Sequence, residues 1–144
     1  MVEEFSVAEV NGMVKKQFGS AFLQDFVFYC KQGKDGVKVF IYSGSSAPNV
    51  KAEWIGLHVG TVDSAGFAPT IEGAQLLGAK ATKGVVSLTS DEALALMSGE
   101  DLAKKTGFEG YVLLEVDGVF LGAGLSQHDK IISLTPASRR TRKL

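Results

Sequence analysis

The stretch that decides the fold is residues 110–125, which read GYVLLEVDGVFLGAGL. Residues 111–116 and 119–125 are apolar and β-branched runs of strand length, so each predicts a strand. Between them, Asp117-Gly118 is a signal for a tight turn. The stretch therefore predicts an antiparallel hairpin, and Gly122-Ala123-Gly124 predicts a bulge or a bend in its second strand.

Short strands and small helices surround this hairpin in the sequence. Residues 85–88 predict a strand before it, and residues 131–134 predict a last strand after it. Thr89 is a predicted N-cap for a short helix, because two acidic residues follow it in the first helical turn. Residues 100–105 predict a further turn of helix, and residues 125–129 predict a turn. Such short strands joined by small insertions are typical of a small β barrel.

The first half of the chain has a different pattern, in which longer elements alternate. Its predicted elements are a helix over 5–18, hairpin strands over 25–31 and 37–42, a third strand over 54–62, and a helix over 71–77 capped by Thr70. A seam near residues 79–84 separates the two patterns. We therefore predict two domains, an N-terminal α/β domain over residues 1–80 and a C-terminal domain over residues 81–144.

The charge of the chain is polarised along its length. The 144 residues carry 15 basic and 16 acidic side chains, a net charge of −1. Four of the basic side chains fall in the last six residues, which leaves a body with 11 basic and 16 acidic residues at −5 beside an end at +4. Every arginine lies in this cationic end. A local concentration of cations favours contact with a polyanion, although a basic terminus is also commonly a solvated, frayed end.

Membrane and secreted proteins do not fit the composition. No apolar run approaches the roughly 20 residues that span a bilayer, and the acidic start Met1-Val2-Glu3-Glu4 predicts no export signal. Cys30 is the single cysteine, so no intramolecular disulfide forms, which favours a cytoplasmic location. Because Cys30 lies in an aromatic strand pattern, we expect a buried thiol without catalytic function.

Metal and nucleotide chemistry are not supported by motifs. His58 and His128 lie far apart with no cysteine pair or HExxH spacing near either, and His58 is predicted to be an ordinary strand residue. The sequence has no phosphate-binding GxxxxGK[ST] loop, no dinucleotide-binding GxGxxG turn and no GxSxG nucleophile motif. We therefore expect no metal, no cofactor and no catalytic residues.

The second half resembles a PUA domain, the small pseudobarrel RNA-binding module of many RNA-modifying enzymes and ribosome assembly factors. The resemblance rests on residues 96–102 (LMSGEDL), on residues 110–118, on residues 121–124 and on Thr135-Pro136 with the arginines that follow. The closing strand with Thr135-Pro136 and Arg139-Arg140 is similar to the end of the PUA-like domain in Sun-family RNA cytosine methyltransferases, and the two-part layout also resembles Nip-type ribosome biogenesis factors. Ala123 departs from the methyltransferase version, which often has an aromatic residue there, and the catalytic methyltransferase domain has no counterpart.

The resemblance implies an α+β fold, in which a small N-terminal α/β unit packs on a C-terminal PUA-like β pseudobarrel. It also implies that RNA lies against the insertion after the first barrel strand and against the last strand. Arginine suits phosphate because its planar fork binds two oxygens at once. The predicted RNA-binding residues are therefore Lys104, Lys105, His128, Lys130, Arg139, Arg140, Arg142 and Lys143.

Other interpretations of these residues stay open. Glu100, Asp101 and Asp129 adjoin the lysines and weaken the local positive field, so Lys104 and Lys105 are also typical of a solvated helix end. Phe26, Phe28 and Phe40 alternate in the first hairpin as a base-stacking platform does, but such a pattern is more often core.

The sequence thus predicts a non-catalytic, cytoplasmic RNA-binding protein of ribosome biogenesis or RNA modification. Its expected partner is structured ribosomal or transfer RNA, with an assembly factor or an RNA-modifying enzyme as a further partner, and neither DNA nor a membrane. An alternative is a protein-interaction module that docks an RNA-modifying enzyme through the N-terminal domain, since that half shows no chemistry of its own. A small nucleotide-directed enzyme is the least supported interpretation, because Asp91-Glu92 and Glu100-Asp101 are explained more simply by helix capping.

Overall fold

The computed structural model describes residues 7–19, 27–34, 36–42, 57–136 and 139. Within these residues the chain forms three helices and nine strands. In chain order they are α1 (Val7–Phe18), β1 (Val27–Gln32), β2 (Val37–Tyr42), β3 (Leu57–Asp63), β4 (Gly66–Pro69), α2 (Ile71–Gly78), β5 (Val85–Ser87), α3 (Ser90–Met97), β6 (Leu102–Ala103), β7 (Gly110–Val116), β8 (Val119–Gln127) and β9 (Lys130–Ser133).

Strands β1 to β4 form an antiparallel sheet in sequence order, which we call the N-terminal sheet. Helix α1 covers one of its faces, because Val10, Val14 and Phe18 recur every four residues and are completely buried against the sheet. The helix ends at Gly19, whose φ of 82° suits glycine and whose N–H donates to the Lys15 carbonyl at 2.8 Å. The predicted helix and hairpin of this half are confirmed within the described residues.

Strand β4 was not predicted, since the sequence analysis ends the third strand of this half and passes directly to α2. Its four residues pair with β3, with Val62 opposite Phe67 and Thr61 opposite Ala68. The Phe67 ring lies over Gly60, where a Cβ would come within 2.2 Å of the ring. A Pro-containing stretch of this length gives little strand signal, but the glycine on the neighbouring strand makes room for its aromatic side chain.

Strands β5 to β9 form a second sheet in the order β5-β7-β8-β9-β6, which curls into a half-barrel. Only the β5–β7 pair is parallel. The central β7–β8 hairpin turns at Asp117 and Gly118, whose φ values of 49° and 84° are those of a type I′ turn. The predicted bulge is confirmed, since Leu114 pairs with Gly122 and the next pair in the ladder is formed by Glu115 and Phe120.

Two local predictions in this half are corrected. Residues 100–105 do not form a turn of helix, because Gly99 has a φ of 96° and Leu102 then pairs with Ile131 as part of β6. The reversal predicted over residues 125–129 is shorter than expected. Strand β8 runs to Gln127, and only His128 and Asp129 have positive φ values, 51° and 60°.

The N-terminal unit, residues 7–78, and the C-terminal unit, residues 85–136, pack against each other, although the half-barrel also has a hydrophobic cluster of its own. Helix α2 packs against both β3 and β8, and Gly78 lies so close to Phe120 that a Cβ would be 2.2 Å from the ring. Leu113 of β7 is fully buried in the core cluster of the N-terminal unit. The α+β fold with a PUA-like pseudobarrel in its C-terminal part is therefore confirmed, whereas the exact boundary at residue 80 stays a prediction.

In the described part of the chain, no helix combines the length and the apolar character that crossing a bilayer requires.

Candidate nucleic-acid interface

The structure describes five of the eight predicted RNA-binding residues and places them in two locations. Four of them surround the β6–β9 pair, and we call this set the lysine edge: Lys104, Lys105, His128 and Lys130. Arg139 lies elsewhere, beside the start of α2. Arg140, Arg142 and Lys143 lie outside the described residues.

The lysine edge is held together by strand pairing. Ala103 pairs with Lys130, so Lys104 and Lys105 leave β6 beside the point where the β8–β9 turn enters β9. Lys105 and Lys130 are exposed. This arrangement brings residues that are 25 positions apart in sequence to one end of the half-barrel.

Lys104 is partly neutralised by a carboxylate that the sequence analysis did not assign to it. Its Nζ lies 3.2 Å from Oε2 of Glu92. Glu92 also completes the capping box of α3, because it accepts the Thr89 N–H at 2.9 Å while the Thr89 hydroxyl accepts the Glu92 N–H at 3.2 Å. This backbone hydrogen bond, followed by the ammonium of Lys104, lowers the pKa of Glu92, so the carboxylate is charged at neutral pH.

Arg139 forms a second ion pair, at the start of α2. Its Nη1 donates to Oε2 of Glu72 at 3.0 Å, and both side chains are more than a third exposed. Glu72 lies in the first turn of α2. Its own backbone N–H donates to the carboxylate and lowers the pKa most, and Arg139 lowers it further. The pair is too exposed to stabilise the fold by more than about 1 kcal/mol, so the guanidinium is available for exchange onto a phosphate.

A cleft of about 690 Å³ lies between the two units, next to Arg139. We call it the interunit cleft. One wall comes from β3, β4 and the start of α2, and the other comes from the barrel. Its lining side chains include His58, Thr61, Asp63 and Ala68 on the first wall and Met97, Tyr111, Leu114, Ala123, Leu134 and Pro136 on the second. The volume is in the range of roughly 300–1,000 Å³ that is usual for small-molecule and cofactor sites.

A hydrogen bond across the units lies at one side of the cleft. The Tyr111 hydroxyl donates to Oδ2 of Asp63 at 2.5 Å, and Oδ1 of Asp63 accepts the Ala65 N–H at 2.8 Å. Burial, followed by the Asp63 carboxylate, raises the pKa of Tyr111, so the phenol stays protonated and remains a donor. The contact joins β3 to β7 where both strands line the cleft.

His58 lies on the wall of the cleft, in contact with an aromatic ring. Its ring centroid is 5.0 Å from that of Phe40, at an interplanar angle of 32°. Its Nε2 lies 3.0 Å from the Gly60 carbonyl oxygen, and burial lowers its pKa, so the imidazole is neutral near pH 7. His58 is a strand residue as predicted, but it does not belong to the core, since it faces the cleft.

Strand alternation could not predict this cleft, because a bulge changes the side of the sheet on which His58 lies. The β2–β3 register shifts between Val39 and Phe40, and Val59 and Gly60 are consecutive buried residues. The extra residue is in β3, so His58 shares the outer face with Thr61, although alternation from buried Val62 would assign it to the α1 side. Phe40 follows the regular alternation of β2 and lies on the same face as Lys38. The available signal was Lys38, whose position between buried Val37 and Val39 marks the outer face.

The described residues contain no candidate metal site. Among the described residues, no group of three or more histidine, cysteine, aspartate or glutamate side chains lies close enough to hold an ion.

Comparison with known proteins supports the prediction of a PUA-like domain in the C-terminal unit. Residues 83–141 match the family model described as the methyltransferase RsmF PUA domain. No curated protein matches the chain. The match covers the whole half-barrel together with the lysine edge and Arg139, and it agrees with the resemblance drawn from residues 96–124. A PUA domain supports RNA binding in the context of RNA modification. The C-terminal unit of this chain is a PUA-like domain of the kind found in Sun-family RNA methyltransferases.

Proposed function

We propose that the chain is a non-catalytic RNA-binding protein that contacts structured ribosomal or transfer RNA in ribosome biogenesis or RNA modification. The observation that carries the proposal is the match of residues 83–141 to a PUA domain, because it includes every described residue that the sequence predicted to bind RNA. A cytoplasmic location belongs to the same proposal, and the single cysteine fits a reducing compartment.

Support for a non-catalytic role comes from the chain's own residues. The matched module is the binding part of a methyltransferase, and Cys30 is only 3% exposed within β1. A thiol buried among apolar side chains is shielded from solvent and from substrates, so it is a poor nucleophile. Binding, rather than chemistry, is therefore the function that the described residues support best.

Fluorescence anisotropy with a labelled tRNA transcript and a structured ribosomal RNA fragment tests the proposal. The intact chain should bind at least one of them, with an affinity that falls as salt rises, because each phosphate contact releases counterions. Replacing the exposed cations in the double variant Lys105→Gln/Lys130→Gln should weaken binding and reduce the log–log salt slope by about 1.5, since each contact contributes roughly 0.7 to 0.9.

The matched control is Lys15→Gln/Lys80→Gln, which removes the same charge from exposed positions at the ends of α1 and α2. It should bind RNA nearly as the intact chain does. A truncation after residue 138 separately measures the contribution of the cationic end. Absence of RNA binding by the intact chain at low salt would overturn the proposal, and methyl transfer to RNA from a labelled methyl donor would overturn its non-catalytic part.

A further inference from the structure

The outer face of the N-terminal sheet, opposite to α1, carries opposed lysines. Lys31 of β1 and Lys38 of β2 are direct cross-strand partners, and both are exposed. In the described part of the chain, neither is recorded in an ion pair. Like charges directly opposite each other on adjacent strands destabilise a sheet. Such a pair is favoured when an anion binds both ammonium groups, so this face is suited to a negatively charged ligand.

On this face the lysines lie next to aromatic side chains, which in turn lie next to the interunit cleft. Lys38 pairs with Thr61 of β3, and in the next row of the same face Phe40 pairs with His58. Thr61 and His58 both line the cleft. Cations beside exposed ring faces are the usual components of a single-stranded nucleic-acid surface, because phosphates meet the cations while bases stack on the rings.

The interior of the cleft suits an uncharged, planar, hydrogen-bonding group. Ala68, Leu134 and Pro136 provide apolar walls, and Asp63 provides acceptors. An aspartate carboxylate has about four acceptor positions, of which the Tyr111 hydroxyl and the Ala65 N–H occupy two. A phosphate would be repelled by Asp63, whereas the N–H edge that every nucleobase offers would be accepted.

Two cations adjoin the cleft. Arg139 is one of its lining residues, beside the start of α2, and Lys38 is the strand partner of the lining residue Thr61. Because a guanidinium carries five N–H donors and Arg139 uses Nη1 for Glu72, other donors remain for a phosphate oxygen. This separation of charge matches a nucleotide with its backbone outside and its base inside.

We infer that the N-terminal unit forms half of the RNA site: an unpaired nucleobase of the bound RNA enters the interunit cleft, while Lys38, Lys31 and Arg139 hold its backbone at the mouth. The inference rests on the proposed function, and it assigns a role to a unit that the family match does not cover. It also predicts that the RNA contacts both walls of the cleft and not the half-barrel alone.

The first test fills the cleft without changing charge. Ala68 lies on β4 and lines the cleft, so Ala68→Phe places a ring in the space that the base would occupy. This variant should bind the labelled tRNA transcript about tenfold more weakly, which is in the range of one lost base-stacking contact. Val119→Phe is the matched control, because Val119 is 60% exposed at the start of β8 and lies outside the cleft. It should bind within twofold of the intact chain.

The second test removes the charge at the mouth. Lys38→Gln should weaken binding and lower the log–log salt slope by about 0.7 to 0.9, which is the contribution of one phosphate contact. Lys15→Gln should not, because Lys15 is on α1, behind the opposite face of the N-terminal sheet. Ultraviolet crosslinking of the unmodified transcript to the intact chain, followed by mass spectrometry, provides a readout that needs no folded variant. We expect crosslinked peptides from β3 and β4.

The outcomes separate this inference from the proposed function. RNA binding by the intact chain that is unchanged in Ala68→Phe and Lys38→Gln, with crosslinks confined to residues 85–136, would overturn the inference and leave the proposed function standing. No RNA binding by the intact chain would overturn both. Loss of binding in Ala68→Phe with an unfolded circular-dichroism spectrum leaves the decision to the crosslinks, which support the inference only if they fall in β3 or β4.

Discussion

The Tyr111 hydroxyl, on the half-barrel, donates a 2.5 Å hydrogen bond to Oδ2 of Asp63, on the N-terminal sheet. This contact joins the two units next to the cleft between them. We expect Tyr111→Phe to lower the free energy of unfolding by about 1 kcal/mol, because a half-buried carboxylate loses a donor. Urea denaturation at neutral pH measures the loss. In an Asp63→Asn background the same substitution should cost less, and an equal cost in both backgrounds would show that the two side chains are not coupled.

The pH dependence of this effect has a definite sign. The pKa of Tyr111 is raised above its ordinary value of 10.0, first by burial and then by Asp63. The unfolded chain therefore loses this proton at a lower pH than the folded chain does. The stability from the protonated phenol is fully present below about pH 10 and is lost as the pH rises further. The difference between the intact chain and Tyr111→Phe should shrink above that pH, and a difference that grows would contradict the assignment.

His58 gives a prediction on the acidic side. Burial lowers its pKa below the ordinary value of 6.5, so below that value the unfolded chain binds a proton that the folded chain resists. Lys38 opposes this protonation, whereas the Gly60 carbonyl and Glu72 favour it to a smaller extent than burial disfavours it. The stability of the intact chain should fall between about pH 7.5 and pH 5.5, and His58→Gln should fall less.

The chain's other histidine provides the control. His128 is exposed in the β8–β9 turn, so His128→Gln should follow the pH dependence of the intact chain. Urea midpoints at the two pH values compare the three proteins. A steeper loss of stability in His58→Gln than in the intact chain would be evidence against a neutral, half-buried imidazole.

Local chemistry made most of the elements predictable. The helix caps at Thr70 and Thr89 and the turn at Asp117-Gly118 involve only residues within four positions of each other. Their hydrogen bonds and φ values can therefore be expected from the sequence alone. The lysine edge could be expected only through the family resemblance. No local signal indicates that Lys104 would meet Lys130, because their proximity depends on the β6–β9 pairing.

What could not be predicted depends on tertiary contacts. Strand β4 exists because Gly60 accommodates the Phe67 ring, and the pairing of Lys104 with Glu92 joins residues from two different elements. The interunit cleft arises where two units meet, which no periodicity within either unit describes. The bulge at Val59 changes the side of the sheet on which His58 lies, so an alternation argument fails there for a physical reason.

Gly73 of α2 offers a test in which two physical effects oppose each other. Helix propensity favours Gly73→Ala by about 1 kcal/mol. A Cβ at this position, however, would lie 1.9 Å from the Val59 carbonyl oxygen, a backbone atom that cannot move aside. The steric effect should win, and the variant should be destabilised by about 2 kcal/mol or more.

Gly12→Ala is the matched control, because Gly12 is exposed in α1 and a Cβ there meets nothing within 4 Å. It should gain about 0.5 to 1 kcal/mol of stability. Thermal or urea unfolding compares the two variants with the intact chain. If Gly73→Ala were as stable as Gly12→Ala, the close approach of α2 to β3 would be wrong.

The two carboxylates that neutralise predicted RNA-binding cations allow the RNA path to be located. Glu92 pairs with Lys104 of the lysine edge, and Glu72 pairs with Arg139 at the mouth of the cleft. Glu92→Gln keeps the capping box, since glutamine also accepts the backbone hydrogen bond at this position. Both substitutions should change the stability by less than about 1 kcal/mol, because the Glu72–Arg139 pair is exposed and the Glu92–Lys104 pair is still partly solvated.

Each substitution should instead strengthen RNA binding by about twofold or more, because a cation released from its carboxylate is attracted to phosphate without competition. Anisotropy titrations at two salt concentrations measure the effect, with Glu109→Gln, in the loop before β7, as the charge-matched control. A gain in Glu92→Gln alone would place the RNA on the lysine edge only, and a gain in Glu72→Gln alone would place it at the cleft. A gain in both indicates a path that joins them, because Glu92 and the cleft-lining Met97 both lie on α3, roughly 7.5 Å apart along its axis.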